Sequence, residues 1–171
     1  FHMIVLAPNS VQEMHDHVGL GMDLAFKYRN PAMILADGAI GQMMEKVVLA
    51  PQRPRKTEEE IRQECRTWAS YGKDADRERN VVTSLELQSE VMEKINQRLQ
   101  AKYKAMEENE VRYEAIDCDD ADYVIVAFGS SARICSATVE MARAEGIRLG
   151  MLRPITLYPV SYTHLRAHET E

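Results

Sequence analysis

The first residues with the types and spacing for chemistry lie in the segment 31–45. An apolar run, residues 33–36, is followed by Asp37 and Gly38 and then by the polar side chains of Gln42 and Glu45. This order predicts a buried strand that stops at a tight turn and leaves polar groups at its carboxyl end. Ligands and partner domains meet parallel α/β sheets at that edge. Asp37, Gln42 and Glu45 are therefore candidates for a binding surface, and an ordinary strand-to-loop exit is the alternative.

A second group of candidates follows another apolar run near the end of the chain. Gly129, Ser130, Ser131 and Arg133 lie where residues 122–128 stop and a helical pattern begins. The free N–H groups and the dipole at the start of a helix favour an anion, so these residues are candidates for a cofactor phosphate site. No nucleotide-binding glycine motif accompanies them. A capped helix start with a salt-bridged Arg133 is the alternative.

The thiols and imidazoles do not form a recognisable site. Cys65, Cys118 and Cys135 are widely separated and no C-x-x-C occurs, so the sequence predicts neither a zinc site nor an iron–sulfur cluster. His15 and His17 are two residues apart, which on a helix turns the rings to different faces and makes a poor chelate. We therefore predict no metal site in this chain.

The elements that would position the first group read as strand, helix, strand. Residues 3–7 form one apolar strand, and Ser10 with Glu13 gives a capping box that opens a helix reaching Arg29, where Asn30-Pro31 stops it. The second strand is residues 32–36, so a parallel βαβ unit is expected. The helix face expected against the sheet carries Val11, Met14, Val18, Met22 and Ala25. Leu20, Leu24 and Phe26 are expected to extend the burial beyond this face.

The middle of the chain reads as a connection between two α/β regions. Residues 51–83 contain prolines and a run of charges and are expected to be a linker, with one short helix near residues 57–66. Residues 84–110 have an apolar repeat typical of a connecting amphipathic helix. A coiled coil is the alternative, but Lys102 interrupts the seam that it would need.

The second α/β region is expected within residues 111–160. Residues 122–128 and 147–152 read as strands, and the helix between them, residues 132–145, ends at Gly146, which suits a left-handed stop. The predicted domains are thus residues 1–50 and 111–160, each containing a parallel βαβ unit.

Composition narrows the classes of function. The net charge is −6 and no cluster of Lys and Arg is interleaved with aromatic residues, which argues against nucleic acid and anionic membranes as partners. The longest apolar run, residues 123–128, is far too short to span a bilayer. With no leader pattern, we expect a cytoplasmic location. Because Phe1 opens almost directly into a strand, we also expect the chain to be a fragment.

Four blocks of the sequence are familiar in combination: VLAPNSVQEM, AFKYRNPAMILADGAIGQMMEKV, RYEAIDCDDADYVIVAFGSSARI and EGIRLGMLRPITLYP. In this order and spacing they resemble the alpha subunit of 2-oxoacid:ferredoxin oxidoreductases, most closely the branched-chain type that acts on 2-oxoisovalerate (3-methyl-2-oxobutanoate). The resemblance extends from Met3 to Pro159. It implies an α/β fold, with the end of a thiamine diphosphate pyrimidine-type domain and the start of a transketolase C-terminal-like domain.

The resemblance also implies a function and a set of partners. Enzymes of this family decarboxylate a 2-oxo acid on thiamine diphosphate, pass electrons through iron–sulfur clusters to ferredoxin, and release an acyl-CoA. By resemblance, thiamine diphosphate and Mg²⁺ are held mainly by a beta subunit and the clusters by another subunit, so beta, gamma and ferredoxin-like subunits are expected partners. No catalytic residue is assigned to this chain. Asp37, Gln42 and Glu45 would face a partner subunit.

The sequence departs from the family in two places. Gly19 and Gly21 interrupt the first helix, at a cost of up to about 1 kcal/mol each unless close packing uses them. Residues 161–171 have no apolar period and end the resemblance abruptly, so we interpret them as a foreign tail without packed structure.

The sequence leaves two alternatives open: another substrate for the same class of enzyme, and a protein that is not an enzyme. The substrate of the same enzyme class can instead be 2-oxoglutarate or pyruvate, because little of the pocket is expected in this chain. A protein of another class, a noncatalytic α/β scaffold that binds a partner through residues 84–109, would explain why no local catalytic set is present.

Overall fold

The computed structural model describes residues 2–70, 72, 76 and 79–160. The chain divides into two compact units, one formed by the residues up to Leu49 together with those from Leu99 onward, and the other by Ala50–Arg98. The elements, in chain order, are β1 (Ile4–Leu6), α1 (Val11–Tyr28), β2 (Ala32–Ile34), α2 (Gly38–Gln42), α3 (Glu58–Glu64), α4 (Ser89–Asn109), β3 (Tyr113–Ile116), β4 (Tyr123–Val126), α5 (Gly129–Ala144), β5 (Leu149–Pro154) and β6 (Thr156–Tyr158).

The first sheet has the strand order β2-β1-β6. β1 and β2 are parallel, with Ile4 opposite Ala32, and α1 connects them, so the predicted βαβ unit is confirmed. β6 pairs antiparallel with β1. Residues from the range predicted for the second domain therefore complete the first sheet, and the ranges given for the domains stay a prediction.

The capping residues Ser10 and Glu13 define the start of α1. The hydroxyl of Ser10 accepts a hydrogen bond from the backbone N–H of Glu13 at 3.2 Å, as the capping box requires. The Glu13 carboxylate accepts from the backbone N–H of Asn9 at 3.0 Å, one residue before the expected donor. The helix ends at Tyr28, and the C-cap Arg29 adopts a left-handed conformation with φ 45°.

The predicted inner face of α1 was wrong at Val18 and Met22. Val18 and Met22 are 54% and 56% exposed, whereas the buried residues of α1 are His17, Gly21 and Leu24. Apolar residues occur on two sides of this helix, so their period alone did not decide which side packs. Gly21 lies on the packed side: a Cβ there would lie 3.8 Å from Ala32 Cβ and 3.9 Å from Leu6 Cδ1, so this residue faces the two strands. Leu24 packs with Ile4 and Met106 in the core beneath.

The second sheet has the order β3-β5-β4. β4 and β5 are parallel and joined through α5, which confirms the second predicted βαβ unit. β3 pairs antiparallel with β5 and was not predicted, because its sequence alternates too little to mark a strand. The core of this sheet consists of Ala132, Val139 and Met151.

Several predicted boundaries need correction. Residues 38–42 form the short helix α2 rather than a tight turn and loop, because Asp37 caps them. α5 begins at Gly129, three residues before the predicted start, and α4 begins at Ser89 rather than at residue 84. The short helix predicted in the linker is present as α3, with a capping box between Thr57 and Glu60. The predicted foreign tail, residues 161–171, lies outside the described residues.

Candidate functional site

The carboxyl ends of β2 and β4 border one cavity within the first unit. Its volume is about 470 Å³. One wall comes from the exit of β2, at residues 35–37, and the other from the exit of β4 and the start of α5, at residues 126–131. The two groups of candidates identified from sequence therefore lie side by side, because each follows a strand whose carboxyl end opens onto this cavity.

Asp37 caps two helices with one carboxylate. Its Oδ1 accepts from the backbone N–H of Ile40 at 2.9 Å, at the start of α2. Its Oδ2 accepts from the backbone N–H of Ser130 at 3.0 Å, at the start of α5. The N-cap of α5 is Phe128, whose side chain has no hydrogen-bonding group, so Asp37 supplies the acceptor from a distant part of the chain.

The electrostatic state of Asp37 follows from these contacts. Hydrogen bonds from Ser130 and from the backbone N–H of Ile40 lower the pKa of Asp37 from 3.8 to about 2. A carboxylate at the positive end of a helix dipole is stabilised in its charged form. Asp37 is therefore an anion at neutral pH, and it occupies the position at the start of α5 where sequence analysis expected an external anion.

Glu45 and Arg133 form the second link between the two groups. A guanidinium nitrogen of Arg133 donates to Glu45 Oε1, and Glu45 Oε2 accepts from the backbone N–H of Val11 at 3.0 Å. The hydrogen bond from Arg133 is the main reason that the pKa of Glu45 is lowered. Glu45 thus connects the first residue of α1 to α5.

The remaining sequence candidates are placed less centrally. Gly129 and Ser131 line the cavity, and Gly129 has φ 62°, the left-handed conformation that favours glycine. Gln42, the last residue of α2, is exposed. The structure therefore pairs Asp37 with Ser130 and Glu45 with Arg133, and it leaves the Gln42 side chain at the surface.

Sequence reasoning missed a buried charge network beside this region. Arg153, only 3% exposed, donates to both oxygens of Glu13 at 2.8 and 2.9 Å and through Nε to Glu114 at 2.8 Å. Burial lowers the pKa of Arg153 and its carboxylate partners raise it, with a net increase. The three residues come from β5, α1 and β3, so no sequence spacing could have grouped them.

A second carboxylate, Glu110, is also buried and fully engaged. It accepts from Lys27 and from the Tyr28 hydroxyl, each at 2.7 Å, and from Arg112 at 2.9 Å. Burial opposes its charge, but these donors outweigh burial and lower the pKa of Glu110. Its three donors make this residue a structural anchor between the end of α4 and α1.

A metal-bound diphosphate would need a cluster of acidic or other metal-binding side chains at the cavity. Within residues 2–70, 72, 76 and 79–160, no group of three or more His, Cys, Asp or Glu side chains is arranged to hold a metal ion. The carboxylate of Asp37, which lines the cavity, accepts from backbone N–H groups, and that of Glu45 accepts from a backbone N–H and from Arg133. These residues do not fit a Mg²⁺-diphosphate site by themselves.

Comparison with protein families decides the class. Residues 1–115 match the thiamine diphosphate-binding domain of pyruvate flavodoxin/ferredoxin oxidoreductases, and residues 121–170 match core domain II of pyruvate:ferredoxin oxidoreductase. The chain belongs to this family. The resemblance to 2-oxoacid:ferredoxin oxidoreductases read from the four sequence blocks is thereby confirmed.

Curated relatives agree with the family. The chain is 46% identical over 166 residues to a ketoisovalerate oxidoreductase subunit of Methanothermobacter marburgensis, covering 97% of this chain and 45% of the relative. It is 28% identical to a 2-oxoglutarate synthase subunit of Methanocaldococcus jannaschii, covering 93% of this chain and 48% of that subunit. The chain therefore spans less than half the length of these relatives.

A solved structure supports the fold. The chain resembles a 2-oxoglutarate:ferredoxin oxidoreductase from Magnetococcus marinus with a TM-score of 0.73 at 18% identity, covering 97% of this chain and 33% of that one. At this identity the likeness concerns the fold, and it confirms the predicted α/β class. Among the described residues, no helix is long and apolar enough to cross a bilayer.

Proposed function

We propose that this chain is part of a subunit of a thiamine diphosphate-dependent oxidoreductase that oxidatively decarboxylates a branched-chain 2-oxo acid. The products are the acyl-CoA and carbon dioxide, and the two electrons released reduce ferredoxin. The observation that carries the proposal is the 46% identity to a ketoisovalerate oxidoreductase subunit over 97% of this chain.

The sequence identities to two groups of relatives support a branched-chain substrate. Two ketoisovalerate oxidoreductase subunits are 46% and 45% identical to the chain, whereas two 2-oxoglutarate synthase subunits are 28% and 29% identical over similar coverage. We propose 3-methyl-2-oxobutanoate as the substrate. The second candidate is 2-oxoglutarate, which the more distant relatives and the fold neighbour favour.

The proposed enzyme is a complex of several subunits, and its cofactors are distributed among them. Thiamine diphosphate and Mg²⁺ would be bound mainly by a beta subunit, and the iron–sulfur clusters by a further subunit that transfers electrons to ferredoxin. The match of residues 1–115 to a thiamine diphosphate-binding domain supports thiamine diphosphate as the cofactor, and this match lies in the present chain rather than in a beta subunit. The free thiols of Cys65, Cys118 and Cys135 suit the reducing cytoplasm, the proposed location of the complex.

The candidate site residues retain two proposed roles. Asp37, Gln42 and Glu45 are proposed to lie at a face toward a partner subunit, and exposed Gln42 is the most accessible of them. Gly129, Ser130, Ser131 and Arg133 were predicted to bind an external anion. Such an anion would have to displace the carboxylate of Asp37 from Ser130 and that of Glu45 from Arg133. Holding these two carboxylates is the role that the contacts support better.

The test is an assay of the assembled enzyme. The full-length subunit is produced with its beta, gamma and ferredoxin-like subunits, and reduction of a viologen dye is followed with CoA and each 2-oxo acid in turn. We expect the highest kcat/KM with 3-methyl-2-oxobutanoate. A higher value with 2-oxoglutarate or pyruvate would overturn the substrate while retaining the class.

The same preparation distinguishes the enzymatic function from that of a noncatalytic scaffold. A complex that contains this subunit and its partners but reduces no dye with any of the three acids would overturn the enzymatic proposal. Omitting CoA, which must accept the acyl group, is the matched control and should abolish sustained turnover if the reaction is the proposed one.

A further inference from the structure

His17 is a buried histidine that the proposed enzymatic function does not use. Only 6% of the residue is exposed, and its Nδ1 has no hydrogen-bond partner among the described residues. It lies on the inner side of α1, one helical turn after Glu13. The imidazole is therefore placed next to the carboxylate that Arg153 holds.

Four charged groups act on this imidazole. Glu13 and Asp16 belong to α1, Arg153 to β5, and Arg112 to the segment before β3. The two carboxylates favour a protonated ring, whereas the two guanidinium groups disfavour it. Burial, the largest influence, lowers the pKa of His17 below its usual value of 6.5, so the ring is neutral at pH 7.

We propose that His17 is a proton-sensitive switch for the ion pair between Glu13 and Arg153, which joins α1 to β5. With the ring neutral, both oxygens of Glu13 accept from Arg153. A proton on His17 would place a second buried cation beside Arg153 and give Glu13 a competing partner. The attachment of α1 to β5 then weakens, and with it one of the links between the first and second sheets.

The direction of the pH dependence follows from the pKa. Because the pKa of His17 is lower in the folded protein than the 6.5 of an unperturbed histidine, the unfolded or opened form takes up the proton first as the pH falls. The stabilisation that depends on a neutral His17 is therefore complete above about pH 6.5. It decreases as the pH drops toward the pKa of His17 in the folded state.

Hydrogen exchange tests the switch in the full-length subunit within its complex. Deuterium uptake of peptides spanning α1 and β5 is compared at about pH 7.5 and about pH 5.5, on either side of the histidine range, after correction for the intrinsic exchange rates. In the natural sequence we expect the corrected uptake of both elements to be several-fold faster at the lower pH. Equal corrected rates would overturn the proposal.

Variants of His17 test whether the pH dependence of exchange originates from this residue. His17→Asn and His17→Phe cannot take up a proton in this pH range, so either one should make the corrected exchange rates independent of pH. The phenylalanine variant retains a ring of similar size and serves if the asparagine variant does not fold. His15→Asn is the matched control on the same helix, where the half-buried His15 pairs with Asp16 at 3.0 Å. If it abolishes the dependence, or if a His17 variant keeps it, the switch is not His17.

Discussion

The carboxylate of Asp37 accepts a 3.0 Å hydrogen bond from the backbone N–H of Ser130, 93 residues further along the chain. Asp37 follows β2 of the first sheet, and Ser130 follows β4 of the second, so one side chain links the carboxyl ends of these two strands. The same carboxylate also caps α2 through Ile40. Loss of this group affects two helix starts at once.

Asp37→Ala is expected to lower the midpoint of thermal unfolding, because backbone N–H groups of α2 and α5 lose their acceptor. Asp37→Asn should be intermediate, since an amide oxygen can still cap a helix but carries no charge for the dipole. Asp119→Asn removes a charge from an exposed loop position and is the control. A midpoint for Asp37→Ala equal to that of the control would contradict the double cap.

The stabilisation by Asp37 should also disappear in acid. Its pKa is about 2 in the folded protein against 3.8 in the unfolded chain, so its contribution is present above about pH 4 and is lost as the pH falls toward 2. The stability difference between the natural protein and Asp37→Asn, measured by urea unfolding, should therefore shrink between these pH values. A constant difference down to pH 2 would show that the charge of Asp37 contributes nothing.

Gly21→Ala is expected to stabilise the protein by about 0.5–1 kcal/mol, because alanine is the better helix former. The new Cβ would meet Ala32 and Leu6 at ordinary contact distances of 3.8 and 3.9 Å. Denaturant unfolding measures the change. The free energy of unfolding should rise without a change in its denaturant dependence.

Gly150→Ala is the contrasting variant. Its Cβ would lie 2.7 Å from the backbone oxygen of Asp117, closer than real contacts allow, so the backbone would have to shift. We expect this variant to be destabilised. If Gly21→Ala destabilises as much as Gly150→Ala, the close packing of α1 on its sheet is tighter than the structure indicates.

Arg153→Met is expected to reduce the free energy of unfolding by on the order of 2 kcal/mol, because it leaves Glu13 and Glu114 without their buried cation. The loss is smaller than for a fully buried pair because both carboxylates keep some contact with solvent. Arg148→Met breaks an exposed pair with Asp122 and is the control, for which little change is expected. Equal effects would show that burial of Arg153 adds nothing to its pairing.

The isolated 171-residue chain is expected neither to bind thiamine diphosphate tightly nor to decarboxylate a 2-oxo acid. The described residues offer no group of ligands for the magnesium ion that accompanies the diphosphate. Titration calorimetry with thiamine diphosphate and Mg²⁺ checks binding, and viologen reduction with 3-methyl-2-oxobutanoate checks turnover. Micromolar binding would mean that residues of this chain form the cofactor site without a partner.

Much of the local structure could be predicted from the sequence. The Ser10 cap, the stop at Asn30-Pro31 and the apolar runs on either side predicted a parallel βαβ unit, and the structure has it. These signals are local, since a cap or a chain stop acts within one or two helical turns. The four sequence blocks likewise indicated the family that the comparison confirmed.

The tertiary structure decided which side of α1 packs and which residues meet at the candidate site. Val18 and Leu24 are both apolar, but Leu24 is buried and Val18 is half exposed, and which of them packs depends on strands elsewhere in the chain. The pairing of Asp37 with Ser130, and of Glu13 with Arg153, joins residues 93 and 140 positions apart. The sequence by itself determined where the main helices and strands lie, because their caps and stops are local. Contacts over such separations form only when the two sheets pack, because no local spacing encodes them.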